Sequence, residues 1–154
     1  MNNKSITKNK SAYYKYFIEK KIESGLLLKG WEVKSSRANR VDIKNSYISI
    51  KNNEAFLLGA NFNPLINHFN LKEYDYIRTR KILLNKSELI FLKNQINIKK
   101  KTIIALELYW KKCWIKLKIA VVKGKKQYDK RMSIKNKDWK IEKKRILKNK
   151  NNFL

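Results

Sequence analysis

The most constraining feature of the sequence is a regular alternation of apolar and polar residues over positions 102–122. In the first half, the apolar residues on one predicted face are Ile104, Leu106, Leu108 and Trp110. In the second half they are Ile115, Leu117, Ile119 and Val121, with Trp114, Lys116 and Lys118 on the opposite face. A two-residue period is typical of strands with one buried face. The pattern therefore predicts an antiparallel hairpin that turns at Lys111-Lys112.

A second hairpin is predicted over residues 46–62. Ile48 and Ile50 share a face before Asn52-Asn53, and asparagine tolerates the positive φ that a tight turn needs. The alternation then resumes at Phe56, Leu58 and Ala60, and it ends at Pro64. Residues 13–28 are rich in aromatic and β-branched types and predict a further extended segment, with a bend or bulge at Ser24-Gly25.

Two short helices are predicted. Asn85 followed by Glu88 is a capping box, which starts a helix that ends near Asn97. Its buried stripe is Leu89, Leu92 and Ile96. The second helix falls within residues 30–40, with Trp31 and Val33 packed and Lys34 and Arg37 facing outward. Residues 65–77 alternate poorly and predict an irregular connection.

The two ends of the chain differ in character from its centre. Residues 1–12 are polar and basic and predict a flexible N-terminus. Residues 123–154 predict a basic tail that is disordered when free and helical on RNA, with Trp139, Lys143 and Ile146 along one helical face. A helix docked on the main domain is the alternative for this tail. Residues 13–122 then form one mainly β domain, a closed barrel of about five strands similar to the OB-fold with a few short helices.

Charge is the strongest indication of a partner. The chain has 38 Lys and Arg against 12 Asp and Glu, a formal net charge of +26. Nucleic acid is the usual polyanion that neutralises such a chain, because phosphate contacts release condensed counterions. Richness in Lys, Asn and Ile also follows from an AT-rich genome, so only part of the excess is functional. Lysines beside Trp114 on one predicted face suit RNA, while a solvated outer face of the barrel is the alternative.

Other function classes lack their characteristic residues. No apolar run approaches the ~20 residues of a membrane-spanning helix, and the N-terminus has no apolar signal segment, so we predict a cytoplasmic protein without a membrane. The single cysteine, Cys113, is predicted in the core, and the single histidine, His68, in a loop. Glu73 and Asp75 read as loop charges, and four glycines form no phosphate loop. We therefore predict neither an enzyme nor a metal or cofactor site.

Several blocks of sequence, in order along nearly the whole chain, resemble the SsrA-binding protein (small protein B, SmpB) family. They are YFIE at 16–19, ESGL at 23–26, GWEVKS at 30–35, RA at 37–38, EAFL at 54–57, GAN at 59–61, RTRK at 78–81, LLN at 83–85, LYWK at 108–111 and KGKKQYDKR at 123–131. The resemblance runs from about Asn9 to Lys148. Each block is short, but their shared order makes a chance match improbable.

The resemblance implies an RNA-binding protein of trans-translation. Its barrel is implied to bind the tRNA-like domain of transfer-messenger RNA (tmRNA, or SsrA RNA). The complex then enters ribosomes stalled on messages without a stop codon, for ribosome rescue and tagging of the incomplete peptides. The tail is implied to occupy the empty mRNA channel at the decoding site, beside 16S rRNA. We expect a monomer when the protein is free.

The resemblance and the basic face together nominate the candidate residues. Glu23, Leu83 and Lys116 match RNA contacts of the family. The full RNA-binding set is Asn9, Lys10, Tyr14, Glu23, Arg37, Arg78, Arg80, Lys81, Leu83, Lys116, Lys118, Lys123, Lys125 and Lys126. The set for the ribosome is Tyr128, Asp129, Lys130, Arg131, Trp139, Ile146, Leu147 and Lys148. Glu23 can accept bonds from base amino groups or orient a lysine, and Leu83 can pack on an unstacked base; a strand-edge charge and a core leucine are the alternatives.

The sequence also departs from the family pattern. Basic residues and a histidine are usual where Ser11, Ala12, Tyr13 and Tyr14 stand. Asn39 replaces a usual glycine and Ile77 a frequent proline, which changes local loop shape. A structural ribosomal protein with a basic extension is the alternative function, since it would share the charge, barrel and tail. An RNA-processing enzyme would need a carboxylate or histidine cluster that the sequence lacks.

Overall fold

The computed structural model describes residues 4–65 and 75–151, with side chains described as far as residue 147. The strands are β1 (Lys4–Lys8), β2 (Tyr16–Leu26), β3 (Val41–Asp42), β4 (Tyr47–Lys51), β5 (Glu54–Leu58), β6 (Asn61–Phe62), β7 (Arg80–Leu83), β8 (Thr102–Lys111) and β9 (Trp114–Gly124). The helices are α1 (Lys10–Lys15), α2 (Gly30–Arg37), α3 (Lys86–Asn97) and α4 (Gln127–Asn151). Most of the predicted connection at 65–77, including His68 and Glu73, lies outside the described residues.

The main sheet closes on itself. Strands β8, β4, β5, β7, β2 and β9 pair in that order, all antiparallel, and β9 pairs again with β8. The remaining edge of β8 is divided, because β4 takes Ile103 and Ile104 while β1 pairs with the segment from Glu107 to Trp110. Strands β3 and β6 form a separate small pair. The prediction of a mainly β chain with short helices is confirmed.

Two hydrophobic clusters occupy the two faces of the β8–β9 hairpin. The main cluster includes Leu108, Leu117, Ile119 and Val121, while a smaller one beneath α1 contains Ala12, Ile104, Leu106, Ala120 and Val122. The predicted face of β9 is confirmed. The predicted face of β8 is wrong, since a register shift between Ala105 and Glu107 moves Ile104 and Leu106 to the face opposite Leu108.

The two hairpin turns depend on residues with positive φ. Asn52 and Asn53 have φ of 49° and 58°, as predicted for the β4–β5 turn. In the β8–β9 hairpin, Lys111 pairs with Trp114, so the turn lies at Lys112 and Cys113, one residue beyond the prediction. Cys113 is therefore exposed and not in the core. The alternation could not reveal this, because the turn interrupts it at that residue.

The predicted capped helix is confirmed as α3. The Glu88 carboxylate accepts the backbone N–H of Asn85 at 3.0 Å, and Leu92 is buried with Leu89 and Ile96 packed beside it. Helix α2 is also confirmed within residues 30–40, with Lys34 and Arg37 exposed.

The N-terminal predictions need correction. Lys4–Lys8 is a strand on β8, with Ile6 buried, where a flexible segment was predicted. The strand was not predicted because Ile6 is its single apolar residue, and one apolar residue cannot show an alternation. Residues 13–15 belong to α1, so the extended segment begins at Tyr16. The irregularity in β2 falls between Ile18 and Lys20, because Ser24 and Gly25 pair regularly with β9.

The predicted disordered tail is helix α4. Residues 127–151 contain neither glycine nor proline and are rich in Lys, which favours helix. The Asp129 carboxylate accepts the N–H of Lys126 at 3.1 Å, which stabilises the positive start of the helix. The described helix has the conformation predicted for the RNA-bound tail, and residues 134–147 are exposed, so this stretch is not docked on the main domain.

Candidate RNA-binding surface

Gly25 is the point at which the predicted RNA contacts meet. It pairs with Leu83 of β7 on one side and with Lys116 of β9 on the other. Glu23, two residues earlier, pairs with Lys118. Directly opposed residues in antiparallel strands project to the same face, as do residues two apart. Glu23, Leu83, Lys116 and Lys118 therefore share one outward face, the Gly25 surface.

The glycine itself shapes this surface. A Cβ added at Gly25 would lie 3.1 Å from the Cβ of Leu83, closer than side chains comfortably pack. Its absence leaves Leu83 room on the outer face, where 52% of the residue is exposed. Leu83 is thus an apolar group presented beside lysines, and the alternative of a plain core leucine is wrong.

Glu23 lies at the centre of a polar network. The Tyr109 hydroxyl donates to one carboxylate oxygen, and the Lys111 ammonium lies 2.7 Å from the other. The hydrogen bonds from Lys111 and Tyr109 lower the pKa of Glu23 below its ordinary value of 4.5, so it is ionised at neutral pH. Burial and the neighbouring carboxylate raise the pKa of Tyr109, which keeps its hydroxyl a donor. Of the two predicted roles for Glu23, this geometry favours orienting a lysine.

The lysines of the surface differ in how far they are neutralised. Lys118 shares Glu107 with Lys8, at 3.3 and 3.2 Å, and it lies 5.1 Å from the centre of the Tyr109 ring. Burial acts to raise the pKa of Glu107, but hydrogen bonds from these lysines outweigh it and hold the pKa down. Lys116 forms no ion pair within the part of the chain that the structure describes. Its charge is therefore the one most available to a phosphate.

A second basic surface adjoins the first around α1. Tyr13, Tyr14 and Phe17 are exposed there. The Lys125 ammonium lies 5.0 Å from the centre of the Phe17 ring and donates to the Tyr13 carbonyl at 3.0 Å, while Lys21 lies 5.6 Å from the Tyr13 ring. Exposed rings beside cations suit stacking on bases with nearby phosphate contacts. We call these residues the α1 surface.

The sequence predicted only some of the residues on the α1 surface. Tyr14 and Lys125 were predicted, and the exposed Lys10, Lys123 and Lys126 lie on the same or adjoining segments. Tyr13 and Phe17 were missed. Their aromatic character was visible, but the orientation of Tyr13 depends on α1, a helix that the alternation of the segment concealed, and Phe17 lies just after it on β2.

Asn9 has a structural position. Only 2% of the residue is exposed, and its amide donates to the carbonyls of Lys44 and Ala105 at 3.2 and 3.1 Å. Its side-chain oxygen accepts the N–H of Ala12 at 3.2 Å and so caps α1. The structure therefore contradicts a direct RNA contact by Asn9.

Replacing Asn9 with alanine should lower the free energy of unfolding by about 1–3 kcal/mol, because buried backbone groups lose their partners. The salt dependence of RNA binding should stay unchanged. Lys10→Ala is the matched control, since it removes an exposed charge from the adjacent residue. Its stability should change little, while the salt dependence of its RNA binding should become less steep. Chemical denaturation measures the stability of both variants, and binding titrations measure their salt slopes. An altered salt slope for Asn9→Ala would show that Asn9 contacts RNA after all.

Two predicted RNA-binding arginines surround a buried carboxylate. Arg80 and Glu32 are both 0% exposed, with the Arg80 Nε 2.7 Å from the carboxylate. Arg78 binds the same carboxylate through two nitrogens, at 2.8 and 2.5 Å. The structure contradicts an RNA contact by Arg80. The Arg78 guanidinium is bonded mainly to the Glu32 carboxylate. Glu32 was missed because its partners lie 46 and 48 residues away.

Most of the remaining predicted residues are accessible. Arg37 is exposed on α2, while Lys81 pairs with the Glu54 carboxylate at the surface. On α4 the exposed side chains from the predicted ribosome set are Tyr128, Arg131, Trp139, Ile146 and Leu147. Asp129 and Lys130 are half-buried at the start of the helix, and the side chain of Lys148 lies outside the described residues.

The chain matches a known protein family over nearly its whole length. The family model described as SmpB protein matches residues 6–149. The chain belongs to the SmpB family. A solved chain from work described as "tmRNA-SmpB: a journey to the center of the bacterial ribosome" is 32% identical to this SmpB chain. The match covers 79% of this chain and 85% of that one, with a TM-score of 0.65.

Family membership confirms the resemblance predicted from the short sequence blocks. The matched range includes both outer surfaces of this SmpB protein and nearly all of α4. Within residues 4–65 and 75–151, no group of three His, Cys, Asp or Glu is placed to hold a metal ion. Among the helices described, none combines the length and apolar character needed to cross a membrane.

Proposed function

We propose that this protein binds the tRNA-like domain of tmRNA and delivers it to stalled ribosomes, where incomplete peptides are tagged and the ribosomes are rescued. Membership of the SmpB family, over residues 6–149, is the observation that carries the proposal. SmpB proteins are RNA-binding proteins and not enzymes. The partners are therefore tmRNA and the stalled bacterial ribosome, which places the work in the cytoplasm.

The Gly25 surface is our candidate for the tmRNA contact. Lys116, which forms no ion pair among the described residues, offers a cation to a phosphate, and Leu83 offers an exposed apolar group to an unstacked base. Glu23 holds Lys111 and Tyr109 in place beside them. The closed antiparallel ring supporting these residues is consistent with an OB-like barrel, a fold that commonly binds nucleic acid on its outer face. We expect the free protein to be a monomer.

The α1 surface and α4 are our candidates for the ribosome contact. Helix α4 begins shortly after β9, next to the exposed rings of α1. Its side chains Trp139, Ile146 and Leu147 are exposed to solvent. A basic helix with exposed apolar groups suits an RNA-lined channel, because lysines meet phosphates while the apolar groups meet bases. We propose that it occupies the empty mRNA channel next to the decoding site.

The tmRNA contact is tested by paired charge reversals. Lys116→Glu should weaken binding to the tRNA-like domain about tenfold more than Lys4→Glu, an excess of roughly 1.4 kcal/mol. Both changes alter the net charge equally, but only Lys116 lies on the Gly25 surface; Lys4 is exposed on β1. Dissociation constants at one fixed salt concentration measure the difference. Equal weakening would refute the assignment of this surface.

A further inference from the structure

The tip of the β8–β9 hairpin presents an exposed tryptophan. Trp114 is the first residue of β9 and 73% of it is exposed, although indole is among the largest apolar groups a protein carries. The turn residues Lys112 and Cys113 are also exposed. Nothing in the fold requires an indole at this position, since the core of β9 is formed by residues from Ile115 onward.

The orientation of Trp114 connects it to the Gly25 surface. Residues two apart along a strand project to the same face, so Trp114, Lys116 and Lys118 form one outward row. The strand has a regular register over this stretch, with Lys111, Tyr109 and Glu107 opposite the three residues. Glu23 in turn fixes Lys111, the residue facing Trp114, at 2.7 Å. The indole is therefore held at the end of a lysine row by two paired strands.

We propose that Trp114 stacks on an unpaired base of the bound RNA and extends the tmRNA contact beyond Lys116 to the hairpin tip. This inference rests on the proposed function. A single-stranded nucleic acid fits, because it supplies flat bases and phosphates at alternating positions, matching an indole followed by lysines; the proposed function makes that nucleic acid RNA. Lys112 at the turn adds a further cation for the backbone next to that base.

Affinity and salt dependence together identify stacking. Trp114→Ala should weaken binding to the tRNA-like domain about five- to a hundredfold, the range expected for one stacked base, and Trp114→Phe should recover most of it. The slope of log affinity against log salt should stay unchanged, since no phosphate contact is lost. Tyr47→Ala removes an exposed ring from β4 and should leave affinity unchanged. Equal affinity of Trp114→Ala and the unmodified protein would overturn the proposal.

Spectroscopy gives a second reading that does not depend on affinity. Stacking on a base quenches indole fluorescence, so saturating RNA should quench the unmodified protein more than Trp114→Phe, which binds but lacks this indole. Identical quenching in the two proteins would mean that the RNA does not reach the tip.

Cys113 makes the contact directly observable. It is the single cysteine of the chain and adjoins Trp114, so a thiol-attached photo-crosslinker there should join the full-length protein to tmRNA. The control is Cys113→Ser with Ile98→Cys, an exposed position near the opposite end of β8. Equal crosslinking from both positions would contradict a specific contact. If the unmodified protein itself does not bind tmRNA, the proposed function fails. If Lys116→Glu weakens binding while the Trp114 variants bind as the unmodified protein does, the hairpin-tip inference fails alone.

Discussion

Replacing Glu32 with alanine is expected to lower the free energy of unfolding by about 3–5 kcal/mol, the usual cost of leaving a buried charge without its partner. The carboxylate accepts bonds from Arg78, Arg80 and the backbone of Lys29. Without it, Arg80 keeps its bonds to the carbonyls of Ala60, Arg78 and Tyr76 but loses its counter-charge. Since a domain of this size is stable by about 5–15 kcal/mol, the variant should lose a large share of its stability.

The control for this prediction is Glu54→Ala. Glu54 also pairs with a cation on β7, Lys81, but both side chains are well exposed, at 44% and 39%. Exposed pairs contribute about 0–1 kcal/mol, so the control should remain near the stability of the unmodified protein. Denaturant titrations on the three proteins measure both effects. A similar small loss for both variants would mean that the Glu32 cluster is not desolvated.

The Glu32 cluster also predicts a pH dependence. Burial acts to raise the pKa of Glu32, but hydrogen bonds from Arg78 and Lys29 and the charge of Arg80 outweigh it, so the folded pKa lies below the ordinary 4.5. A lowered folded pKa stabilises the protein above the unfolded pKa, and this contribution is lost as pH falls through the folded value. Stability should therefore decline below about pH 4.5. Glu32→Ala should decline less steeply over the same range.

Removing α4 is expected to separate RNA binding from ribosome rescue. A chain ending at Lys126 should still bind tmRNA, because the Gly25 surface lies wholly on β2, β7 and β9. Peptide tagging on stalled ribosomes should fall to background, since the helix proposed for the mRNA channel is gone. The cut belongs after Lys126 because Lys123 and Gly124 pair with β2, and the N–H of Lys125 bonds the carbonyl of Lys15 at 3.0 Å.

A charge-matched variant distinguishes the two ways α4 could act. Replacing Trp139, Ile146 and Leu147 with serine keeps every lysine and arginine of the helix. If exposed apolar groups anchor the helix, tagging should fall sharply while the salt slope of tmRNA binding stays that of the unmodified protein. Tagging at the normal level would assign the role of α4 to its charge alone. Loss of both tmRNA binding and tagging in the truncated chain would refute the division into two contact regions.

Local patterns predicted much of this fold. The alternation of β9, the Asn52-Asn53 turn and the Asn85 capping box each depend on residues close in sequence, and each is confirmed. The missed features depend on distant partners. The register shift in β8 reverses the face of Ile104 and Leu106 without any change in residue type, and β1 is recognisable only by its pairing with β8.

The candidate site shows the same division. Glu23, Leu83 and Lys116 came from a family resemblance, and only the register of three strands brings them together around Gly25. Arg80 was predicted as an RNA contact from the RTRK block at 78–81, whereas its burial depends on Glu32, 48 residues earlier. Local sequence motifs therefore indicated which residue types form the site. Strand pairing and ion pairs between residues distant in sequence determine which of these side chains reach the surface.

We propose that this protein recognises tmRNA by more than its charge of +26. The most direct test is a binding titration against tmRNA and against bulk tRNA over rising salt. Electrostatic binding falls steeply with salt for any RNA, whereas base and shape contacts persist. We predict that the tmRNA complex survives salt concentrations that release bulk tRNA. Release of both RNAs at the same salt concentration would contradict specific recognition and favour a generally basic ribosomal role.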